Sequence, residues 1–167
     1  PEEEVLSKSN YNIEHRFTGV FNYSAYWFGN NATRFSLFAQ RISGAPYSIV
    51  LSGFEGTILA YDGTPWLDFE ENVLVEPGSR NKEDGSWWTK ADLRISQEFP
   101  GFASGHRGSA FIVVDNLTNL INDEWGVMYQ ANFPYGVTQA DKDAGIAEAR
   151  IGDASLWEIR IGLNYRF

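Results

Sequence analysis

The sequence predicts an all-β fold: an antiparallel meander of about five long strands, forming part of a transmembrane β-barrel. Three observations point there. Long stretches alternate large apolar with polar residues at period two, the spacing that places one kind on each face of a strand. Aromatic side chains reach 16%, and no apolar run approaches the roughly 18 residues of a spanning helix. Short connections alternate with long acidic ones, as in barrels with tight turns on one side of a membrane and long loops on the other.

The first strand runs from His15 to Phe28, with Phe17, Gly19, Phe21, Tyr23, Ala25 and Trp27 on one face. Arg16, Thr18, Asn22, Ser24 and Tyr26 take the other, with Val20 as the exception. Gly29-Asn30-Asn31-Ala32 reads as a tight turn, and Thr33 to about Ser43 as the return strand. Trp87 to Phe99 sets Ala91, Leu93 and Ile95 against Asp92, Arg94, Ser96 and Glu98. After a short turn around 100–107, Gly108 to about Asn116 goes back as the fourth strand. The clearest alternation closes the chain: every odd residue from Trp157 to Phe167 is large and apolar, and every even one is polar, charged or Gly.

The long connections span roughly 45–86 and 117–155 and hold most of the acid. Glu55, Asp62, Asp68, Glu70, Glu71, Glu76, Glu83 and Asp84 lie in the first. Asp123, Glu124, Asp141, Asp143, Glu148 and Asp153 lie in the second. Loops of this length inside a compact domain signal function or disorder.

A soluble β-sandwich alternates in the same way, with one buried face. Two details favour the barrel. Asp92, Arg94, Glu98, Glu158, Arg160 and Arg166 on the polar face suit a wet lumen. Aromatics at the strand margins, Phe17 and Trp27 or Trp157 and Phe167, fall where interfacial girdles lie.

Composition narrows the function. With 13 basic and 22 acidic residues, a net charge of −9, the chain has the wrong sign for a nucleic-acid partner. The absence of Cys excludes a disulfide scaffold and a thiolate metal site. Pro1-Glu2-Glu3-Glu4, with no apolar segment behind it, does not read as a signal peptide. The expectation is a cytosolic chain or a mature piece of something longer.

At the C-terminal end, Arg160-x-Gly162-x-x-Tyr165-x-Phe167 resembles the assembly signal of bacterial outer-membrane proteins. The run Val113-Val114-Asp115-Asn116-Leu117-Thr118-Asn119-Leu120-Ile121-Asn122 resembles a segment near the end of TonB-dependent receptors. The stretch from Asn116 to Phe167, together with Glu14-His15-Arg16-Phe17 and Ser43-Gly44-Ala45-Pro46-Tyr47-Ser48, is similar to their Oar-like subgroup. The resemblance implies an N-terminal plug, a barrel of about 22 strands and a periplasmic C-terminus. Counting strands back then places the short turns in the periplasm and both long loops outside the cell. No plug is present, and five strands cannot close a barrel, because an open sheet edge is not tolerated in lipid. Residues 1–167 are therefore expected to be the C-terminal part of a larger receptor for ligand uptake.

Implied partners are outer-membrane lipid and lipopolysaccharide, the barrel-assembly machinery acting on Arg160, Gly162, Tyr165 and Phe167, and TonB through the missing plug. An extracellular ligand would meet loop aromatics: Trp66, Trp87, Trp88, Trp125 and Tyr129. The plainer alternative makes these aromatics girdle or loop-packing residues. No enzyme chemistry is expected, since His15 and His106 stand in no catalytic or metal-binding spacing. No cofactor is expected either. Asp141 and Asp143 are weak metal candidates, because the distal Glu of a calcium loop is missing. Two other functions fit the alternation, a free-standing carbohydrate-binding β-sandwich and a self-assembling surface protein.

Overall fold

The computed structural model describes residues 7–50, 80–132 and 136–167 in full, and the strand backbone at 51, 57–59, 65–68 and 73–74. The chain divides into two compact units. One comprises residues 15–42, 87–128 and 150–167. It is built on a five-stranded antiparallel sheet whose strands are Arg16–Phe28, Asn31–Ile42, Trp88–Pro100, Arg107–Asp115 and Glu158–Arg166. These are the five long strands expected from the alternation, in meander order.

The first turn is shorter than the sequence predicts. It contains only Gly29 and Asn30, and the second strand resumes at Asn31 rather than at residue 33. Gly29 takes φ +64°, which closes the hairpin at little steric cost. The Asn31 side chain donates to the Phe28 carbonyl at 3.1 Å, and an irregularity between Ala25 and Phe28 absorbs the extra twist. Among the described residues the first and last strands pair on one side only, so both outer edges of the sheet carry open ladders.

The other unit gathers residues 1–14, 43–86 and 129–149, which are most of the two long connections. The described parts of these segments include short paired strands. Ser48–Leu51 pairs in parallel with Gly136–Thr138 and antiparallel with Val73–Leu74. A separate hairpin joins Thr57–Leu59 to Pro65–Asp68. The small core is Tyr47, Ala131 and Val137, with Ile49 and Ala147 packed against it. Asn81 is buried with φ +56°; its amide donates to the Lys8 carbonyl at 2.7 Å and to Asn10 Oδ1 at 2.5 Å. Its backbone N–H donates to Ser48 Oγ at 2.9 Å, so this left-handed residue ties three chain segments together. Of the acids noted above, Glu55, Asp62, Glu70, Glu71 and Glu76 lie outside the described residues, and Asp68 contributes backbone alone.

Candidate functional site

Register decides what the five-stranded sheet presents. Phe21, Leu37, Leu93, Val114 and Ile159 stand opposite one another in one row across all five strands. Tyr23, Phe35, Ile95, Ile112 and Ile161 form the next row on the same face. On the opposite face run Asn22, Ser36, Arg94, Val113 and Arg160, then Ser24, Arg34, Ser96, Phe111 and Gly162. The pairing follows the sequence alternation, with Val20, Phe38, Phe111 and Val113 as apolar exceptions on the polar face.

The apolar face stays open to solvent at its outer strands. Phe21 is 62% exposed, Ile161 75% and Leu163 74%, values far from those of side chains packed in a core. A sandwich would bury this face against a second sheet.

Along the last strand and the residue after it, the four residues of the C-terminal pattern take distinct structural roles. The Tyr165 hydroxyl accepts from the Phe102 N–H at 3.0 Å and lies 3.0 Å from His106 Nδ1. The Phe102 ring stacks on Tyr165 at 5.7 Å, and Phe167 reaches the other side of His106 at 6.5 Å. Tyr165 thus fastens the 100–107 turn to the last strand. Arg160 pairs with Asp115, with Glu158 at 3.7 Å. Gly162 lies under the Phe111 ring, which a Cβ at that position would overlap, and Arg94 sits over Phe111 at 4.4 Å. A ring laid across a strand glycine restores the contacts that the missing side chain forfeits. We expect Gly162→Ala to expel Phe111 and cost about 1–3 kcal/mol of stability, read as a shift of the urea midpoint. An unchanged midpoint would mean that Phe111 moves aside freely.

Where the fourth strand leaves the sheet, a buried polar knot holds the chain. Asn116 is 1% exposed and left-handed at φ +53°. Its backbone N–H donates to Asp92 Oδ1 at 2.7 Å, and its amide donates to the Gly126 and Ser155 carbonyls at 3.0 and 3.2 Å. Its Oδ1 accepts from the Thr118 hydroxyl at 2.7 Å. Asn119 continues the knot, donating to the Asp123 and Trp125 carbonyls at 3.0 and 2.9 Å. Ser155 Oγ accepts from the Met128 N–H at 2.9 Å. Gly126, at φ +64°, is the one residue that fits against Asn116 Oδ1. The segment resembling the receptor family is therefore a hydrogen-bonding device, a role that the sequence reading did not assign.

The aromatic candidates are divided between the two units. Trp88 is half-buried and its indole N–H donates to the Gly126 carbonyl at 3.0 Å, a packing role beside the knot. Trp87 is exposed and stacks on His15 at 5.9 Å and Phe17 at 6.3 Å, with Arg41 over its ring at 5.1 Å. Trp125 is exposed on the same unit, whereas Tyr129, also exposed, belongs to the other. The Trp66 side chain lies outside the described residues.

Asp141 forms a reciprocal cap on the short helix Gln139–Asp143. Its N–H donates to Thr138 Oγ1 at 3.0 Å, while the Thr138 hydroxyl donates to its carboxylate at 2.7 Å. Asp143 accepts from Gln139 at 2.8 Å. Among the described residues no group of three or more His, Asp or Glu gathers to hold a metal ion. In the same unit the Glu83 carboxylate, 2.6 Å from Lys142 Nζ, raises the lysine above its ordinary pKa through their hydrogen bond. Burial pushes the Tyr47 phenol up as well.

No protein-family model matches the chain, and no curated protein or solved structure matches it.

Proposed function

We propose that the five-stranded sheet is a stretch of the wall of a transmembrane β-barrel, its apolar face toward lipid and its polar face toward a wet interior. Within that class, the chain is the C-terminal barrel portion of an Oar-like TonB-dependent receptor of the bacterial outer membrane. The observation that carries the proposal is the register, which aligns apolar side chains from all five strands on a face left exposed. A face of this width on a water-soluble monomer is an aggregation hazard. In a bilayer it is the surface that lipid requires, and further strands would satisfy the open ladders at both edges.

Orientation follows from the turns. The two-residue link at Gly29–Asn30 and the 100–107 turn face the periplasm, and the long connections face outward. The mechanism is ligand capture by the outer loops, followed by plug rearrangement driven through TonB. Arg160, Gly162, Tyr165 and Phe167 serve barrel assembly, and the fastening of Tyr165 to the turn keeps that strand end ordered for recognition.

Fractionation of the native polypeptide that contains Ile161–Phe167 tests this. Recovery from the outer membrane at a mass far above 18.8 kDa is expected. Recovery from the soluble fraction near 18.8 kDa would overturn it and leave the sandwich or the self-assembling protein.

A further inference from the structure

The polar face holds a second feature, near the short-turn end. Arg107 and Arg166 stand directly opposite each other on the fourth and fifth strands. Like charges in direct cross-strand register repel, so this arrangement needs a counter-charge or weakens the sheet. The sheet supplies little. Ion pairs form at Arg34 and at Arg160, but no carboxylate lies within 4.0 Å of Arg107 or Arg166 among the described residues. The nearest acid in the strand ladder, Glu98, feels the charge of Arg107, but its oxygens are hydrogen-bonded elsewhere: Oε1 accepts from Arg34 at 2.6 Å and Oε2 from the Ala32 N–H at 3.2 Å.

The two arginines line a cavity of about 580 Å³ together with Ser109, Asn164 and Glu98. That volume lies in the range of roughly 300–1,000 Å³ that takes small organic ligands. Ser109 and Asn164 are themselves cross-strand partners, one step further along the same two strands. Two guanidinium forks, a hydroxyl and a carboxamide offer more donors than the two oxygens of a carboxylate can accept. A tetrahedral phosphate matches them better, and guanidinium pairs bind phosphate bidentately.

We propose that Arg107 and Arg166 bind the phosphate dianion of a small phosphomonoester, with Ser109 and Asn164 as further donors and the rest of the cavity taking its organic part. The site lies on the face opposite the apolar rows, so a water-borne ligand fits it and a lipid headgroup does not. The choice of a water-borne ligand rests on the reading that the apolar face meets lipid, whereas binding of the phosphate itself does not.

The test is titration of glycerol 3-phosphate into the full chain in non-ionic detergent, followed by phosphorus NMR and by thermal unfolding. Saturable binding is expected, about tenfold weaker in Arg107→Gln and in Arg166→Gln, and unchanged in Arg16→Gln. It should weaken below about pH 6, where the phosphate takes up its second proton. Because the pair repels, Arg107→Gln should raise the unfolding midpoint of the ligand-free protein while reducing, at equal ligand concentration, the rise that the ligand gives to the wild type. Absence of saturable binding by the wild type would overturn the proposal. So would an equal loss in Arg16→Gln, which marks a diffuse charge effect. Vesicles containing phosphatidic acid serve as the second arm, and Arg107-dependent binding to them in place of glycerol 3-phosphate would overturn the water-borne source.

Discussion

On the proposed lipid-facing reading, Ile161→Arg is expected to lower the stability of the protein in phospholipid vesicles by about 2–4 kcal/mol, the range for a cation near the midplane on the lipid face of a barrel. Ile161 sits in the middle of the last strand, in the row with Tyr23, Phe35, Ile95 and Ile112. In hydrocarbon the guanidinium must reach for the interface or drag water inward, and both cost energy. In water the same residue is 75% exposed, so there the substitution leaves the sheet almost unchanged. Asn22→Arg, on the opposite face and across from Ser36, is the matched control and stays within about 1 kcal/mol in either medium. Urea unfolding from phospholipid vesicles and from aqueous buffer reads the contrast. Equal effects in the two media would remove lipid as the partner of this face.

The second large effect is expected at Asn116. Asn116→Ala removes the amide that serves the Gly126 and Ser155 carbonyls and the oxygen that accepts from Thr118. It also leaves at φ +53° a residue without the short polar side chain by which Asn tolerates the left-handed region. Unmade buried hydrogen bonds cost about 1–3 kcal/mol each, and the left-handed backbone adds about 1 kcal/mol. Some carbonyls keep other donors, as Gly126 keeps the Trp88 indole, so a total of about 3–4 kcal/mol is expected. Asn116→Gly relieves only the backbone share and should recover about 1 kcal/mol of that loss. Asn116→Asp keeps the acceptor but faces a carboxylate oxygen toward two carbonyls, and should be no better than Ala. Denaturant midpoints order the three variants. A loss below 1 kcal/mol for Ala would mean that the hydrogen bonds around Asn116 carry little of the stability of this unit.

The long strands were legible because each offers many successive alternations, enough for period two to stand out from any other period. The short ones were not. Ser48–Leu51 and Gly136–Thr138 hold too few residues for a pattern, and their parallel pairing joins segments far apart in the chain. Gly162 was visible as part of a C-terminal pattern, but its reason needs the register that lays Phe111 across it. The Asn116 knot is harder still to read, because its acceptors are the main-chain carbonyls of Gly126 and Ser155. Every residue carries a carbonyl, so nothing in those letters advertises the role. Trp88, for which the sequence left both a ligand-facing and a loop-packing role open, donates its indole N–H to the same loop.

The knot also bears on how the sheet is assembled in time. The fourth and fifth strands pair across a link of some forty residues, and closing a flexible loop of that size costs entropy before any ladder bond repays it. Asn116 directly follows Asp115, and Ser155 lies three residues before Glu158, its partner across the ladder. Once Asn116 grips the Ser155 carbonyl, the two strand ends are already side by side and the rest of the pairing can zip from there. The same grip leaves no slack for a one-residue slip, which would turn Ile159, Ile161 and Leu163 toward the polar face. The knot therefore acts as a starting block for the last strand, and its variants should fold more slowly as well as less stably.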